Sequence, residues 1–208
     1  RTHEVIKKIV VEKKDTLKKV VVEKPKLNNG LSVEYFKGSA RIKSSKGFFV
    51  GFVISDAGYV LTNSNLIGDD EKVVYVKVYG QKTVRANVLR RGSSTNIVLL
   101  QLVSNKEYQS LNLALENPLT KDTVYTVAPG KAYTYDKGIY QNEIAVNRSY
   151  FHTVVITPKK NSDGAPMLNI KGEVVGVMDQ SITGNSTQKK EFFIPINDAL
   201  KDLNLKLE

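Results

Sequence analysis

The sequence predicts an all-β protein made of two groups of about six short strands and one closing helix. Apolar runs bounded by Gly, Asn and Asp recur at intervals of roughly eight to fifteen residues from about residue 28 onward. The polar, turn-rich segment 109–122 divides these runs into two groups, and a helical pattern appears only at the C-terminal end. We therefore expect a domain over residues 28–208, with barrel one at about 35–108 and barrel two at about 123–196.

The strands of each group are predicted from runs of apolar and β-branched residues that lie between turn residues. The first group is FFVGFVIS (48–55), GYVLTN (58–63), KVVYVKVYG (72–80), TVRANVLR (83–90) and NIVLLQLV (96–103). The second group is TVYTVAPG (123–130), EIAVNRS (143–149), HTVVIT (152–157), APMLNI (165–170), EVVGVMDQSI (173–182) and EFFIPI (191–196). DAG at 56–58, YGQK at 79–82 and Lys-Gly at 171–172 predict hairpin turns.

The closing helix is predicted over 197–205. Asn197 can cap it, Asp198 lies in its first turn, and Leu200 and Leu203 share one face.

Residues 1–27 are predicted to form a basic arm or linker that is separate from the domain. IKKIVVEKK (6–14) recurs as LKKVVVEKP (17–25), and the density of Val and Ile favours extended chain over helix. The chain carries a formal net charge of +10, and this arm contributes nine basic and four acidic side chains to it. Basic residues elsewhere are scattered and lack interleaved aromatics, so we do not expect nucleic acid to be the partner.

The composition excludes several chemistries. The absence of cysteine removes thiol nucleophiles, disulfides and thiolate metal sites. Only His3 and His152 can supply an imidazole, and their separation gives no metal-ligand spacing, so we expect neither a metal nor a cofactor. His152 lies in an apolar, β-branched segment, where a structural role is expected.

Four segments, in order, carry patterns of a known family. GFFVGFVISDAGYVLTNSNLIG (47–68) is similar to GSGVIISPDGYILTNNHVV, and TVRANVLRRGSSTNIVLLQL (83–102) to AEVVGSDPETDLALLKV. NSDGAPMLNIKGEVVGV (161–177) is similar to GNSGGPLLNLDGEVIGI, and EFFIPINDALKDL (191–203) to FAIPINLAKKVL. Over about residues 45–204 the chain thus resembles the HtrA family of serine proteases. The resemblance implies a chymotrypsin/trypsin-like double six-stranded barrel.

The same resemblance implies that all three positions of the catalytic triad have changed. The family's histidine falls on Asn65, its aspartate on Asn96 and its serine on Asp163. Asparagine at position 65 cannot act as a general base, and a carboxylate at position 163 repels a developing oxyanion. The sequence therefore predicts a degenerate protease, and it leaves Asn161, Ser162, Gly164, Ala165 and Pro166 as the remnant of the nucleophile loop.

Two further hypotheses concern this loop. A one-residue insertion would align Ser162 with the nucleophile and allow a rearranged peptidase, with Lys159 or Lys160 as a conceivable base. Alternatively, Asp163 fills the former oxyanion hole and accepts N–H bonds from its own turn.

The expected function is that of an inactive, HtrA-like interaction or scaffold module in the bacterial cell envelope. The resemblance implies a periplasmic or extracytoplasmic location. Partners are expected to be other envelope proteins, such as parts of a secretion or motility machine, bound by β-addition or through the arm. A membrane tether upstream is compatible with the arm. Binding of an anionic surface or nucleic acid through the arm is the alternative of a different class.

Overall fold

The computed structural model describes residues 33–128, 134–146, 149–157, 162–182 and 190–205. The strands of the first barrel are β1 (Ser39–Ser44), β2 (Gly47–Val53), β3 (Tyr59–Asn63), β4 (Val73–Val78), β5 (Val84–Arg91) and β6 (Ile97–Leu102). The strands of the second are β7 (Thr123–Ala128), β8 (Thr134–Val146), β9 (Ser149–Val155), β10 (Pro166–Leu168), β11 (Val174–Met178) and β12 (Lys190–Pro195). A 3-10 helix (Val33–Gly38) precedes β1, and helix α1 (Ile196–Asp202) follows β12.

Each set of six strands closes into an antiparallel barrel. The spatial orders are β1-β2-β3-β6-β5-β4 and β10-β11-β12-β9-β8-β7. The predicted fold class is confirmed, including the C-terminal helix. The predicted arm, residues 1–27, lies outside the described residues. None of the helices in the described ranges has the length and apolarity of a transmembrane span.

Three details of the sequence-based assignment are wrong. Strand β1 was not predicted, because SARIKS has only Ala40 and Ile42 as inward apolar residues. EIAVNRS is not one strand: residues 143–146 end the long strand β8, and Ser149 begins β9. Asn197 does not cap the final helix, which begins at Ile196 after Pro195 and ends at Asp202. Proline at the cap position is compatible with this start because its missing N–H has no intrahelical acceptor there.

The apolar core has three parts. Each barrel has its own interior, represented by Ile42, Phe49 and Leu100 in the first and by Met167 and Phe193 in the second.

The third and largest part is a seam between the barrels. Phe52, Leu61 and Ile97 of the first barrel pack there in one cluster with Leu168 and Ile194 of the second. Helix α1 and the residue after it add side chains that are fully or almost fully buried: Ile196, Ala199, Leu200 and, after the helix, Leu203. Burial of each large apolar side chain contributes on the order of 1.5–3 kcal/mol, so the seam fixes the two barrels against each other.

Asp202 ties helix α1 to the loop that precedes β6. Its carboxylate accepts hydrogen bonds from the backbone N–H groups of Ser93, Ser94 and Thr95 and from the hydroxyls of Ser93 and Thr95. Burial raises the pKa of Asp202, but these hydrogen bonds outweigh it and hold the pKa well below its usual range. A side chain at Gly92 would clash with this carboxylate. The loop that presents Asn96 is thus held by the C-terminal helix.

We predict that Asp202→Ala lowers the free energy of unfolding by roughly 2 to 4 kcal/mol, since it leaves several loop donors without their acceptor. Urea denaturation followed by circular dichroism measures the change. Ser94→Ala is the matched control because it keeps the backbone N–H that Asp202 accepts. Equal stability of the two variants would contradict this role.

Candidate functional site

Four polar side chains from both barrels meet beside the seam. Asn65 follows β3 and Asn96 precedes β6, so the first barrel contributes both asparagines. Asp163 precedes β10 and Asp179 follows β11, so the second barrel contributes both carboxylates. The structure therefore brings together the three positions that the resemblance assigned to a catalytic triad, and it adds Asp179.

The Asn65 amide joins the two carboxylates. Its Nδ2 donates to Asp163 Oδ2 at 3.2 Å and to Asp179 Oδ1 at 3.0 Å. A side-chain amide nitrogen has two hydrogens, so both are used. The Asn65 backbone N–H donates to Asn63 Oδ1 at 2.8 Å, which holds the start of the loop.

The Asp179 carboxylate accepts hydrogen bonds from both asparagines and from Ser181. Asn96 Nδ2 donates to its Oδ2 at 3.0 Å, and the hydroxyl and backbone N–H of Ser181 donate to its Oδ1 at 2.6 and 3.1 Å. The side chain of Asp179 is fully buried. Since a buried carboxylate needs donors around it, the two asparagines serve as its hydrogen-bonding environment.

The loop that carries Asp163 is held by its backbone. Val50 N–H donates to the Asp163 carbonyl oxygen at 3.1 Å, and Gly164 N–H donates to the Met178 carbonyl oxygen at 3.0 Å. Gly164 has a φ of 81°, and a Cβ there would clash with the Val50 carbonyl oxygen and the Thr62 hydroxyl. Only glycine fits this close approach between the barrels. Gly164 therefore fixes the turn independently of the side chain at position 163.

The Asp163 carboxylate lies inside the protein, with 6% of the residue exposed. Its Oδ1 accepts the Gln180 N–H at 2.9 Å. This backbone donor follows β11 and lies outside the turn that carries Asp163. Burial raises the pKa of Asp163 to about 6; the Gln180 N–H lowers it, the Asp179 carboxylate raises it, and the Asn65 amide and the backbone N–H of Gly164 lower it. The contribution of Gly164 agrees with the hypothesis that the turn itself supplies a donor, and Gln180 adds one from outside the turn.

The alternative nucleophile, Ser162, is fully buried, as is His152, the histidine predicted to be structural. His152 packs against the ring of Tyr140 in the second barrel, with a ring-centroid distance of 5.2 Å, and its Nδ1 is 3.9 Å from Glu143 Oε2. Burial lowers the pKa of His152 to about 4, so its ring is neutral at physiological pH. The remaining candidates lie outside the described residues: Asn161, Lys159, Lys160 and His3.

Chemically, the site offers two carboxylates and two amides. Neither amide can take up a proton near neutral pH, since a side-chain amide is not basic. A carboxyl group with a pKa near 6 can exchange a proton, and the donors described for Asp163 are the Asn65 amide and the Gln180 N–H.

The sequence matches the trypsin-like peptidase domain over residues 49–177.

Curated relatives are DegP-like proteins. The chain is 26% identical over 169 residues to a probable periplasmic serine endoprotease DegP-like of Pseudomonas putida, and 28% identical over 170 residues to one of Pseudomonas fluorescens. Each alignment covers 77% of this chain and 35% of the relative, so the chain spans about a third of their length.

Solved structures share the fold. The MamO protease domain of Magnetospirillum magneticum, in its apo form, has a TM-score of 0.71 at 16% identity. The superposition covers 85% of this chain and 100% of the MamO chain. The active form of the Rv3671c protease of M. tuberculosis has a TM-score of 0.69 at 19% identity and covers 83% of each chain.

We predict that Asp163→Asn gains roughly 1 to 3 kcal/mol of stability relative to the wild type as the pH rises from about 4.5 to about 8. The raised pKa means that the folded state holds a proton between pH 3.8 and about 6 that the unfolded state has released. Stability from this group is therefore lost as the pH rises through that window. Asparagine has no charge to gain in this window, so the variant lacks this loss. Its NH2 group cannot accept the bond that one Asp163 oxygen accepts, which adds a cost that does not change with pH.

Urea denaturation of both proteins at about pH 8 and about pH 4.5 measures the difference. Asp70→Asn, at an exposed position between β3 and β4, controls for loss of a surface carboxylate. A stability difference between the two proteins that is the same at both pH values would contradict the prediction.

Proposed function

Because the chain belongs to the trypsin-like peptidase domain family, we propose that it uses this scaffold as a protein-interaction module and has no peptidase activity. The observation that carries the proposal is the position of the Asn65 amide. It lies where the resemblance expects a general base, and both of its donor hydrogens are bound to buried carboxylates.

Acyl transfer by this fold needs a base that takes a proton from the nucleophile and returns it to the leaving amine. Asn65 cannot do this, and His152 is held neutral in the core of the second barrel. The base of the family mechanism is thus without a counterpart among the described residues.

Position 163 also opposes acyl transfer. An ionised Asp163 would repel the oxyanion that forms during attack on an amide. Its carboxylate also accepts the Gln180 N–H, so this donor is already engaged. The alternative nucleophile Ser162 is fully buried, so a peptide carbonyl has no direct approach to its hydroxyl. Both features support loss of catalysis over a rearranged peptidase.

An interaction role suits the rigid scaffold that remains. The buried seam fixes the barrels, and the curated relatives are named as periplasmic proteins. We accordingly place this chain outside the cytoplasm, with other proteins of the bacterial envelope as partners. The N-terminal arm is proposed as one means of attachment.

β-Addition to the former cleft is a narrower version of the proposal. Every described strand already has a neighbour on each side, so an added peptide must pair with segments between strands. In the segment that follows β11, the N–H groups of Gln180 and Ser181 donate to Asp163 and Asp179. Two donors that an added strand would use are therefore engaged, which favours docking through side chains.

We predict that the protein neither cleaves unfolded casein nor reacts with a fluorophosphonate probe, because Asn65 cannot act as a general base and His152 is held neutral in the core. Labelling is read by gel fluorescence beside an active serine protease. Ser162→Ala is the matched variant. Labelling of the wild type that disappears in Ser162→Ala would establish a rearranged peptidase and refute the proposal.

We predict that the protein, immobilised and exposed to bacterial envelope extract, retains specific protein partners identified by mass spectrometry. Comparing the full chain with one that lacks residues 1–27 assigns retention to the arm or to the barrels. Recovery of nothing beyond the background of an unrelated basic protein would count against the interaction role.

A further inference from the structure

The outer face of the first barrel carries a groove of about 410 Å³ on the strands β1, β2 and β4. It is lined by Arg41, Lys43, Phe48, Tyr75, Lys77 and Thr83. All six residues are exposed. The intervening residues Ile42, Val74 and Val76 are buried in the barrel, so the alternation of the strands directs the cationic and aromatic side chains outward.

Strand register places these side chains in two rows. Lys43 lies opposite Phe48 of β2 on one side and opposite Tyr75 of β4 on the other. Arg41 lies opposite Lys77 in the neighbouring row. The groove is therefore one continuous surface across three adjacent strands.

The Arg41–Lys77 pair is unfavourable by itself. Like charges directly opposite each other on neighbouring strands destabilise a sheet. Among the residues that the structure describes, no ion pair involves Arg41, Lys43 or Lys77. The groove thus carries three positive charges without a described acidic partner, and an anionic ligand would neutralise them.

Phe48 holds Arg41 in a defined orientation. The guanidinium carbon lies 4.5 Å from the ring centroid, and Lys43 Nζ lies 5.8 Å from it. A guanidinium stacked on a ring keeps its N–H donors at its edge, where they can bind a carboxylate in bidentate fashion. The aromatic ring therefore orders a cation for recognition of a planar anion.

We propose that this groove binds an acidic, extended segment of a partner protein. A recess between side chains fits a polypeptide better than the flat surface of a bilayer. The ring of Phe48 is covered by Arg41, which leaves Tyr75 as the one aromatic side chain of the lining that could stack on a nucleic-acid base. A single stacking side chain favours a polypeptide over a nucleic acid. The chain's own arm carries nine basic and four acidic side chains, so its charge makes it a poor occupant.

This inference rests on the proposed interaction function and names the chemistry of one partner. It does not depend on the Asn65 site, because the groove lies on the outer face of the first barrel. Binding is measured directly, so a peptidase activity found with the fluorophosphonate probe would overturn the proposed inactivity and leave the groove untouched.

The test is fluorescence anisotropy of the full chain with a fluorescein-labelled peptide of alternating glutamate and glycine. We expect Arg41→Gln/Lys77→Gln to weaken binding by roughly five- to twentyfold, since two of the neutralising charges are lost. Lys106→Gln/Lys171→Gln removes the same charge at exposed positions outside the groove lining, and its affinity should stay within about twofold of the wild type.

A second variant leaves net charge unchanged. Phe48→Ala keeps every cation but removes the ring that orients Arg41, and we expect it to weaken binding by roughly threefold or more. Thermal unfolding of each variant shows that it is folded. The peptide with glutamine in place of glutamate should not bind.

Three results would overturn the proposal. The first is equal loss of affinity in the groove variant and its charge-matched control, which would assign binding to diffuse charge or to the arm. The second is absence of binding to the glutamate peptide. The third is tighter, groove-dependent binding of phosphatidylglycerol vesicles or of a single-stranded oligonucleotide, which would replace the acidic peptide with a lipid surface or a nucleic acid.

Discussion

The apolar seam between the two barrels is the constraint on which the remaining structure depends. Each barrel closes its own strand hydrogen bonds, and individual bonds such as Val50 N–H to the Asp163 carbonyl oxygen link the two. The seam adds a large buried apolar surface that fixes the relative position of loops far apart in sequence. Asn65 and Asp163, which are 98 residues apart in the chain, meet at this junction.

A fixed position makes an electrostatically demanding cluster tolerable. Two carboxylates are buried close together, and each is surrounded by amide, hydroxyl or backbone donors supplied from both barrels. Such an arrangement costs free energy that well-packed apolar contacts must offset. The site is thus a polar network inside a rigid junction, in which every donor hydrogen of the Asn65 amide has a defined acceptor.

Much of the fold could be predicted from the sequence because strand alternation and turn residues are local signals. The failures occurred where those signals were weak. Strand β1 presents only Ala40 and Ile42 to the core, and the polar stretch from Glu143 to Ser149 hides the end of one strand and the start of the next. The helix begins at Ile196, one residue before the expected cap Asn197, because Pro195 takes the cap position.

The site was predictable only in part, for a different reason. Asn65, Asn96 and Asp163 could be named because each belongs to a recognisable segment, but no local pattern gives their distances. Asp179 was missed, since it lies within the run predicted as the strand EVVGVMDQSI (173–182), where a single acidic residue forms no recognisable motif. Its burial and its four hydrogen-bond donors come from three separate segments, and that convergence is a property of tertiary structure.

The backbone that holds Asp163 has a consequence for evolution and for engineering. The turn is fixed by the Val50 N–H, by the Met178 carbonyl oxygen and by the space that Gly164 leaves free, and none of these depends on which side chain position 163 carries. The backbone geometry of this loop can therefore stay the same while the side chain at position 163 changes. A lineage can exchange one reactive or unreactive side chain for another here without first redesigning the turn, which makes the position a natural entry point for introducing new chemistry into the scaffold.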